Sequence, residues 1–150
     1  NKNSLNMKNY IVIFVTFLTF QLVSAQSECV AIESTLQKYM EGSSYNKLEM
    51  LESAFTENAT LYLSGRDGFK LYTPKDYIAF FKNNKAGAFN GRYAKVLAIE
   101  VIRDIATAKV EISIPERKMM YIDLFLLKKF ENGWKIISKT ATRIDKASND

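Results

Sequence analysis

The apolar positions change period along the chain, and the change divides it into helices and strands. Over residues 28–41, Cys29, Ile32, Leu36 and Tyr39 recur three or four apart, while Glu33, Gln37 and Lys38 fall between them. That spacing predicts an amphipathic helix. Gly42-Ser43-Ser44 is expected to break it, with Ser44 capping a second helix whose face carries Leu48, Leu51 and Phe55. Thr60 to Ser64 reads as a strand, Gly65-Arg66-Asp67-Gly68 as a turn, and Phe69 to Tyr72 as the returning arm of a hairpin. Thr73-Pro74-Lys75-Asp76 combines a capping hydroxyl, Pro at the first helical position and an acid in the first turn. It opens a third helix with Tyr77, Ile78, Phe80 and Phe81 on its apolar face, and Asn83 to Gly87 is a polar loop after it.

From Tyr93 onward the pattern is extended. Four strands are predicted: Tyr93 to Arg103, Ile105 to Ile114, Met119 to Phe130 and Trp134 to Arg143. Pro115 stops the second, and Asn132-Gly133 is a hairpin signal before the fourth. The tight link at Arg103-Asp104 makes these strands an antiparallel meander. In the second strand Ala106, Ala108, Val110, Ile112 and Ile114 alternate with Thr107, Lys109, Glu111 and Ser113, so one face packs and the other is wet. With no repeat, linker or low-complexity segment, residues 26–150 read as one α+β domain.

The first 25 residues follow a different logic. Met7-Lys8-Asn9 is basic, Tyr10 to Phe20 is uncharged and mostly apolar, and Val23 and Ala25 occupy the small-residue positions of a cleavage site. This is the pattern of a secretory signal peptide cut before Gln26, with residues 1–6 as an upstream extension. The apolar run is shorter than the roughly 20 residues a membrane-spanning helix needs. The expected location is therefore periplasmic or secreted, with no stable membrane anchor after cleavage. Glu28 before Cys29 argues against lipid attachment there, and Cys29 reads as an apolar position on the first helix.

Composition removes several kinds of chemistry. The chain of 150 residues has no His and one Cys. His-dependent triads, His metal sites, Cys zinc clusters and an intrachain disulfide are all excluded, so no metal or other cofactor is expected. Residues 26–150 carry 19 basic and 16 acidic side chains, interspersed along the chain, which gives no nucleic-acid footprint. Arg117-Lys118 and Lys128-Lys129 read as solvated strand ends. Glu100 and Glu111 alternate with Lys95, Arg103 and Lys109, which favours surface ion pairs over a carboxylate dyad. Ser113, Ser138, Thr140 and Thr142 have no His partner to activate them.

Asp123 stands out, because it interrupts the apolar-aromatic strand MMYIDLFLLKKF. Facing an apolar cavity, it would serve as a base. Facing solvent, or paired with a Lys or Arg of a neighbouring strand, it would be structural. Both faces of this strand are largely apolar, so alternation alone leaves the two readings open. The aromatic residues Tyr39, Tyr62, Tyr77, Tyr93, Tyr121, Phe55, Phe81 and Trp134 belong mostly to the core.

The order helix, helix, hairpin, helix, four antiparallel strands resembles the nuclear transport factor 2-like fold, a curved sheet that wraps its helices into a cone with a pocket at the open end. Tyr39-Met40-Glu41-Gly42, Phe55 to Leu61, Tyr121-Ile122-Asp123 through Lys128, and Gly133 to Lys139 are similar to motifs of its "putative lumazine-binding" branch, a relative of the SnoaL-like cyclases. The resemblance covers nearly all of residues 26–150. It implies a pocket whose ligand-binding residues come from Tyr39, Phe55, Tyr62, Phe81, Tyr93, Tyr121 and Asp123. It also implies a homodimer formed through the broad face of the sheet. Thr56 stands where this family often has His, and the acidic position expected near Asn46-Lys47 is missing. The reading is therefore a non-catalytic protein that binds a small, partly aromatic molecule or acts as a dimeric interaction module. The alternative is an isomerase- or dehydratase-like enzyme with Asp123 as base and a Tyr as hydrogen-bond donor.

Overall fold

The computed structural model describes residues 26–65 and 68–145, so the expected signal peptide and the centre of the first hairpin turn lie outside the described residues. Helix α1 (residues 26–44) is followed by α2 (Leu48–Ser53), strands β1 (Phe55–Gly65) and β2 (Gly68–Tyr72), α3 (Pro74–Ile78), and strands β3 (Tyr93–Ile102), β4 (Ile105–Ile114), β5 (Met119–Phe130) and β6 (Gly133–Arg143). The six strands form one curved sheet in the order β2-β1-β6-β5-β4-β3. Strands β3 to β6 are the antiparallel meander that the sequence predicts, and β1 pairs with β2 as a hairpin. The junction between the two halves is parallel: β1 runs alongside β6, with Leu61 opposite Lys139.

Ile32, Leu36 and Tyr39 of α1 are fully buried against the inner face of the sheet. That face carries Ala106, Ala108, Val110 and Ile112 of β4, Phe125 and Leu127 of β5, and Trp134 and Ile136 of β6. The alternation of β4 is as expected, with Ala106, Ala108, Val110 and Ile112 buried and Thr107 and Lys109 exposed. Thr35 of α1 donates to the Trp134 carbonyl (2.9 Å), and Glu28 accepts from the Trp134 indole (2.7 Å) and from Lys129 (2.5 Å). These contacts fix the N-terminal half of α1 over the β5–β6 hairpin.

Three expectations at helix ends are corrected. Helix α1 does not stop at Gly42 but runs through residue 44. Gly42 is present because α2 crosses there: a Cβ at this position would lie 2.7 Å from the Leu51 backbone. Ser44 does not cap α2, whose N-cap is Lys47, reached through a left-handed Asn46 (φ 55°). Phe55 opens β1 rather than closing α2, because its ring is needed in the core beside Tyr39 (ring centres 6.0 Å apart). The start of α3 is as predicted, with a reciprocal capping box in which Asp76 N donates to Thr73 Oγ1 and Thr73 N to Asp76 Oδ2 (3.2 Å each). Phe80 and Phe81 then continue α3 as a 3-10 turn.

The β1–β6 pairing shifts register between Phe55 and Thr60, and two further shifts bear on which side chains of β3 and β6 face inward. In β3 one falls between Val96 and Ala98. In the β5–β6 pairing, Leu127 is opposite Ile136 while Leu126 is opposite Ser138, so Ile137 is an extra residue in β6. A single inserted residue reverses the side-chain parity beyond it. Trp134 and Ile136 face the core before the bulge, and Lys139 and Ala141 do so after it.

Candidate functional site

Beyond the core, the inner face opens into a cavity of about 580 Å³. Its floor is a buried polar cluster. Asp123 of β5 is 2% exposed, and Lys139 of β6 is 3% exposed. The two are near neighbours across the β5–β6 pairing and make an ion pair at 3.1 Å through Asp123 Oδ1. Asp123 Oδ2 accepts from the Tyr39 hydroxyl at 2.7 Å and from Arg92 Nη2 at 3.4 Å. Asp123 thus faces inward and is also paired with a Lys from the adjacent strand, which joins the two readings that the sequence leaves open.

The hydrogen-bond pattern has one consistent assignment. Arg92 Nη2 also donates to Tyr39 Oη at 2.9 Å, and Tyr77 Oη lies 2.9 Å from the same atom. A phenol has one proton. Tyr39 gives its proton to Asp123, so Tyr77 must donate to Tyr39. Burial, then the charge of Asp123, then Tyr77 push the Tyr39 phenol well above its ordinary pKa, which keeps it a neutral donor. Burial alone would weaken the charge on Arg92, but Tyr39, Tyr77 and Asp123 outweigh it and raise its pKa. Lys139 Nζ also lies 5.5 Å from the ring centre of Tyr77 and 5.9 Å from those of Tyr39 and Phe125, so three ring faces surround the ammonium.

Arg92 is held from the other side by a network the sequence did not single out. Asn46 Nδ2 donates to the carbonyls of Lys85 (3.1 Å) and Ala88 (2.9 Å). Asn90 Nδ2 donates to Asn46 Oδ1 (2.8 Å) and to the Ser43 carbonyl (2.7 Å). Arg92 N then donates to Asn90 Oδ1, and Arg92 Nε to Ser43 Oγ (3.2 Å each). The polar loop after α3 is thereby tied to the α1–α2 corner and delivers Arg92 to the floor.

Of the residues implied by the resemblance, Phe81, Tyr121 and Asp123 line the cavity. Tyr39 is fully buried beneath it, and Phe55 is part of the core behind Tyr39. Tyr62 and Tyr93 lie elsewhere: Tyr62 is stacked on Phe69 on the outer face of the sheet, and Tyr93 is exposed at the start of β3, packed on Phe89. Strand alternation carries both away from the inner face. Arg92, Arg117, Lys139 and Arg143 also line the cavity, as do Phe80 and Tyr77. Arg117 is exposed as expected, but it borders the mouth. Lys139 has no clear signal in the sequence, because it stands in a mixed stretch after Trp134 with Lys135, Ser138 and Thr140, and the bulge that turns it inward is not legible.

A second concavity, of about 560 Å³, lies along the outer face beside Tyr62, Leu124 and Leu126. The buried polar cluster belongs to the inner face, so the inner cavity is the candidate site.

Comparison with solved structures identifies the fold. An NTF2-like protein of unknown function from Shewanella baltica is 22% identical, covering 79% of this chain and 94% of its own, with a TM-score of 0.68. One from Silicibacter pomeroyi is 19% identical over 80% of this chain and 98% of its own, with a TM-score of 0.71. One from Methylobacillus flagellatus is 24% identical over 79% and 93%, with a TM-score of 0.68. Comparison with curated proteins gives no match. The family model described as "Putative lumazine-binding" matches residues 27–141, and the chain therefore belongs to that family within the nuclear transport factor 2-like fold.

Proposed function

We propose that the protein is exported and binds a small, partly aromatic molecule in the inner cavity without transforming it. The observation that carries this reading is the cavity itself: about 580 Å³, with aromatic walls from Phe80, Phe81 and Tyr121 above a preorganised polar floor. Ring faces supply stacking area, and the floor groups are fixed by bonds to one another, so little ordering is needed on binding. Native mass spectrometry of the protein, with a denaturing run as control, tests it. The expected result is an additional small mass that disappears on denaturation. A clean polypeptide mass, joined to the absence of any thermal shift across a broad ligand screen, overturns it. The basic, apolar and small-residue pattern of residues 7–25 supports export, and N-terminal sequencing of the protein recovered outside the cytoplasm should begin at Gln26.

One observation favours the enzymatic alternative. Asp123 borders the cavity with a Tyr hydroxyl 2.7 Å away, the arrangement an Asp base with a phenol donor requires. Against it, both carboxylate oxygens are already engaged, Oδ1 by Lys139 and Oδ2 by Tyr39 and Arg92. The binding reading accounts for that saturation directly.

The outer face supports self-association. Leu124 and Leu126 are about half exposed, and Phe69 and Leu71 extend the apolar surface across β2. A second copy of the same sheet is the partner this self-complementary surface fits.

A further inference from the structure

The floor of the cavity holds two cations, Lys139 buried and Arg92 partly buried, and one buried carboxylate. Arg92 and Lys139 both contact Asp123, and no other acid among the described residues reaches either of them. One positive charge is therefore in excess in a site largely withdrawn from water. Such a charge is costly unless it is partnered. The donors left over are also identifiable. Arg92 uses Nη2 for Tyr39 and Asp123 and Nε for Ser43, while Nη1 makes no hydrogen bond to any of the described residues. No buried side-chain nitrogen or oxygen among the described residues lacks a partner, so Nη1 is not sealed in but reaches open space, and Arg92 lines both this cavity and a hollow beside Tyr45 and Phe89. Nearer the mouth stand Arg143 and Arg117. Arg143 is paired with Asp145, whereas Arg117 has no ion-pair partner among the described residues.

Resting on the binding reading above, we infer that the ligand is an organic anion, an aromatic or otherwise planar carboxylate, whose charged group takes up the excess positive charge of the Arg92–Lys139 floor. Its ring lies against Phe81 and Tyr121. Arg117, exposed at the mouth, attracts the anion on entry. The carboxylate of Asp123 plays a separate part, holding the two cations side by side where they would otherwise repel.

Probes matched in shape and differing only in charge distinguish this assignment from simple apolar binding. Benzoate, 2-naphthoate and anthracene-2-carboxylate are titrated into the protein by calorimetry, each against its neutral amide. The expected result is binding by at least one carboxylate, with its amide weaker by about tenfold or more, because the neutral amide accepts a hydrogen bond but does not offset the excess charge. Lys139→Met removes the excess charge, so the carboxylate-to-amide ratio should fall towards one. Arg117→Gln is the second variant, should Lys139→Met fail to fold. It lowers carboxylate affinity about two- to threefold, the scale of an exposed charge.

Equal binding of amide and carboxylate, or a ratio untouched by both variants, overturns the assignment. Displacement of the best carboxylate by inorganic phosphate at the same concentration overturns the aromatic part of it. If none of the probes binds, the assignment also fails. The small-molecule reading then stands or falls separately, on whether the purified protein carries a bound mass.

Discussion

Asp123 and Lys139 are both buried and both charged, yet their removal should have unequal consequences. Among the described residues Asp123 is the only anion that pairs with these two cations, Arg92 and Lys139. Asp123→Asn leaves Arg92 and Lys139 facing each other without compensation and takes an acceptor from Tyr39, so a loss of about 3–5 kcal/mol in urea unfolding is expected. Lys139→Met leaves Asp123 balanced by Arg92, and the methionine can occupy the space among Tyr39, Tyr77 and Phe125. Its cost should be clearly smaller than that of Asp123→Asn. The reverse order would mean that Arg92 does not share the charge of Asp123. Tyr39→Phe keeps the ring packing and deletes the hydroxyl that joins Asp123, Arg92 and Tyr77. Unfolding should then be easier by about 1–3 kcal/mol, the range for a buried polar group that loses its partner.

Between elements, the critical joints are the α1–α2 crossing and the seam of α1 with the β5–β6 hairpin. Gly42→Ala would drive a methyl group into the Leu51 backbone, and Ser43 at the end of α1 and Asn46 in the corner before α2 are tied to the loop that delivers Arg92. Destabilisation of about 1–3 kcal/mol is expected, together with weaker ligand binding, by thermal melting and titration of the same sample. At the seam, hydrogen bonds from Lys129 and then Trp134 hold the Glu28 carboxyl below its ordinary value of 4.5. A lowered folded-state pKa gives stability that is present above the unfolded value and is lost as pH falls through the folded one. The stability difference between the wild type and Glu28→Gln should therefore be constant above about pH 6 and shrink below 4.5, read from urea midpoints across that range. A difference independent of pH would show that the carboxylate charge is not what secures the seam.

These joints also show what the sequence could convey. The β3–β6 meander was legible because alternation, Pro115 and Asn132-Gly133 all mark the same boundaries. The start of α3 was legible because a capping box is local chemistry. The role of Gly42 is not legible, because a glycine needed for close approach looks like a glycine that ends a helix. Asp123 was visible as a polar interruption, but its partners were not. Lys139 depends on a bulge at Ile137 that has no sequence marker, and Arg92 on a fold of the loop set by Asn46 and Asn90, more than forty positions apart. The site is assembled by long-range contacts, whereas the elements that carry it are specified locally.

For the molecule as a whole, the two faces of one sheet divide the work. The inner face spends its alternation on the core and the charged floor, while the outer face is left with Leu124 and Leu126 in the middle of the sheet and Phe69 and Leu71 on its edge hairpin. Leu124 neighbours Lys109 and Thr140, and Leu126 neighbours Thr107 and Ser138, so the apolar strip is bordered by short polar side chains and one long cation. A strip of this kind gives an interface with an apolar centre and a polar rim. Because it lies on the opposite side of the sheet from the cavity, association and ligand binding should be separable. Sedimentation of the wild type is expected to give a dimer. Leu124→Glu with Leu126→Glu places two like charges from each copy at the centre of the interface and should give a folded monomer that still binds the naphthoate probe with unchanged affinity. A wild type that sediments as a monomer at every concentration tested would refute the dimer. A double variant that loses the probe along with its partner would show instead that the cavity takes its shape from the second copy.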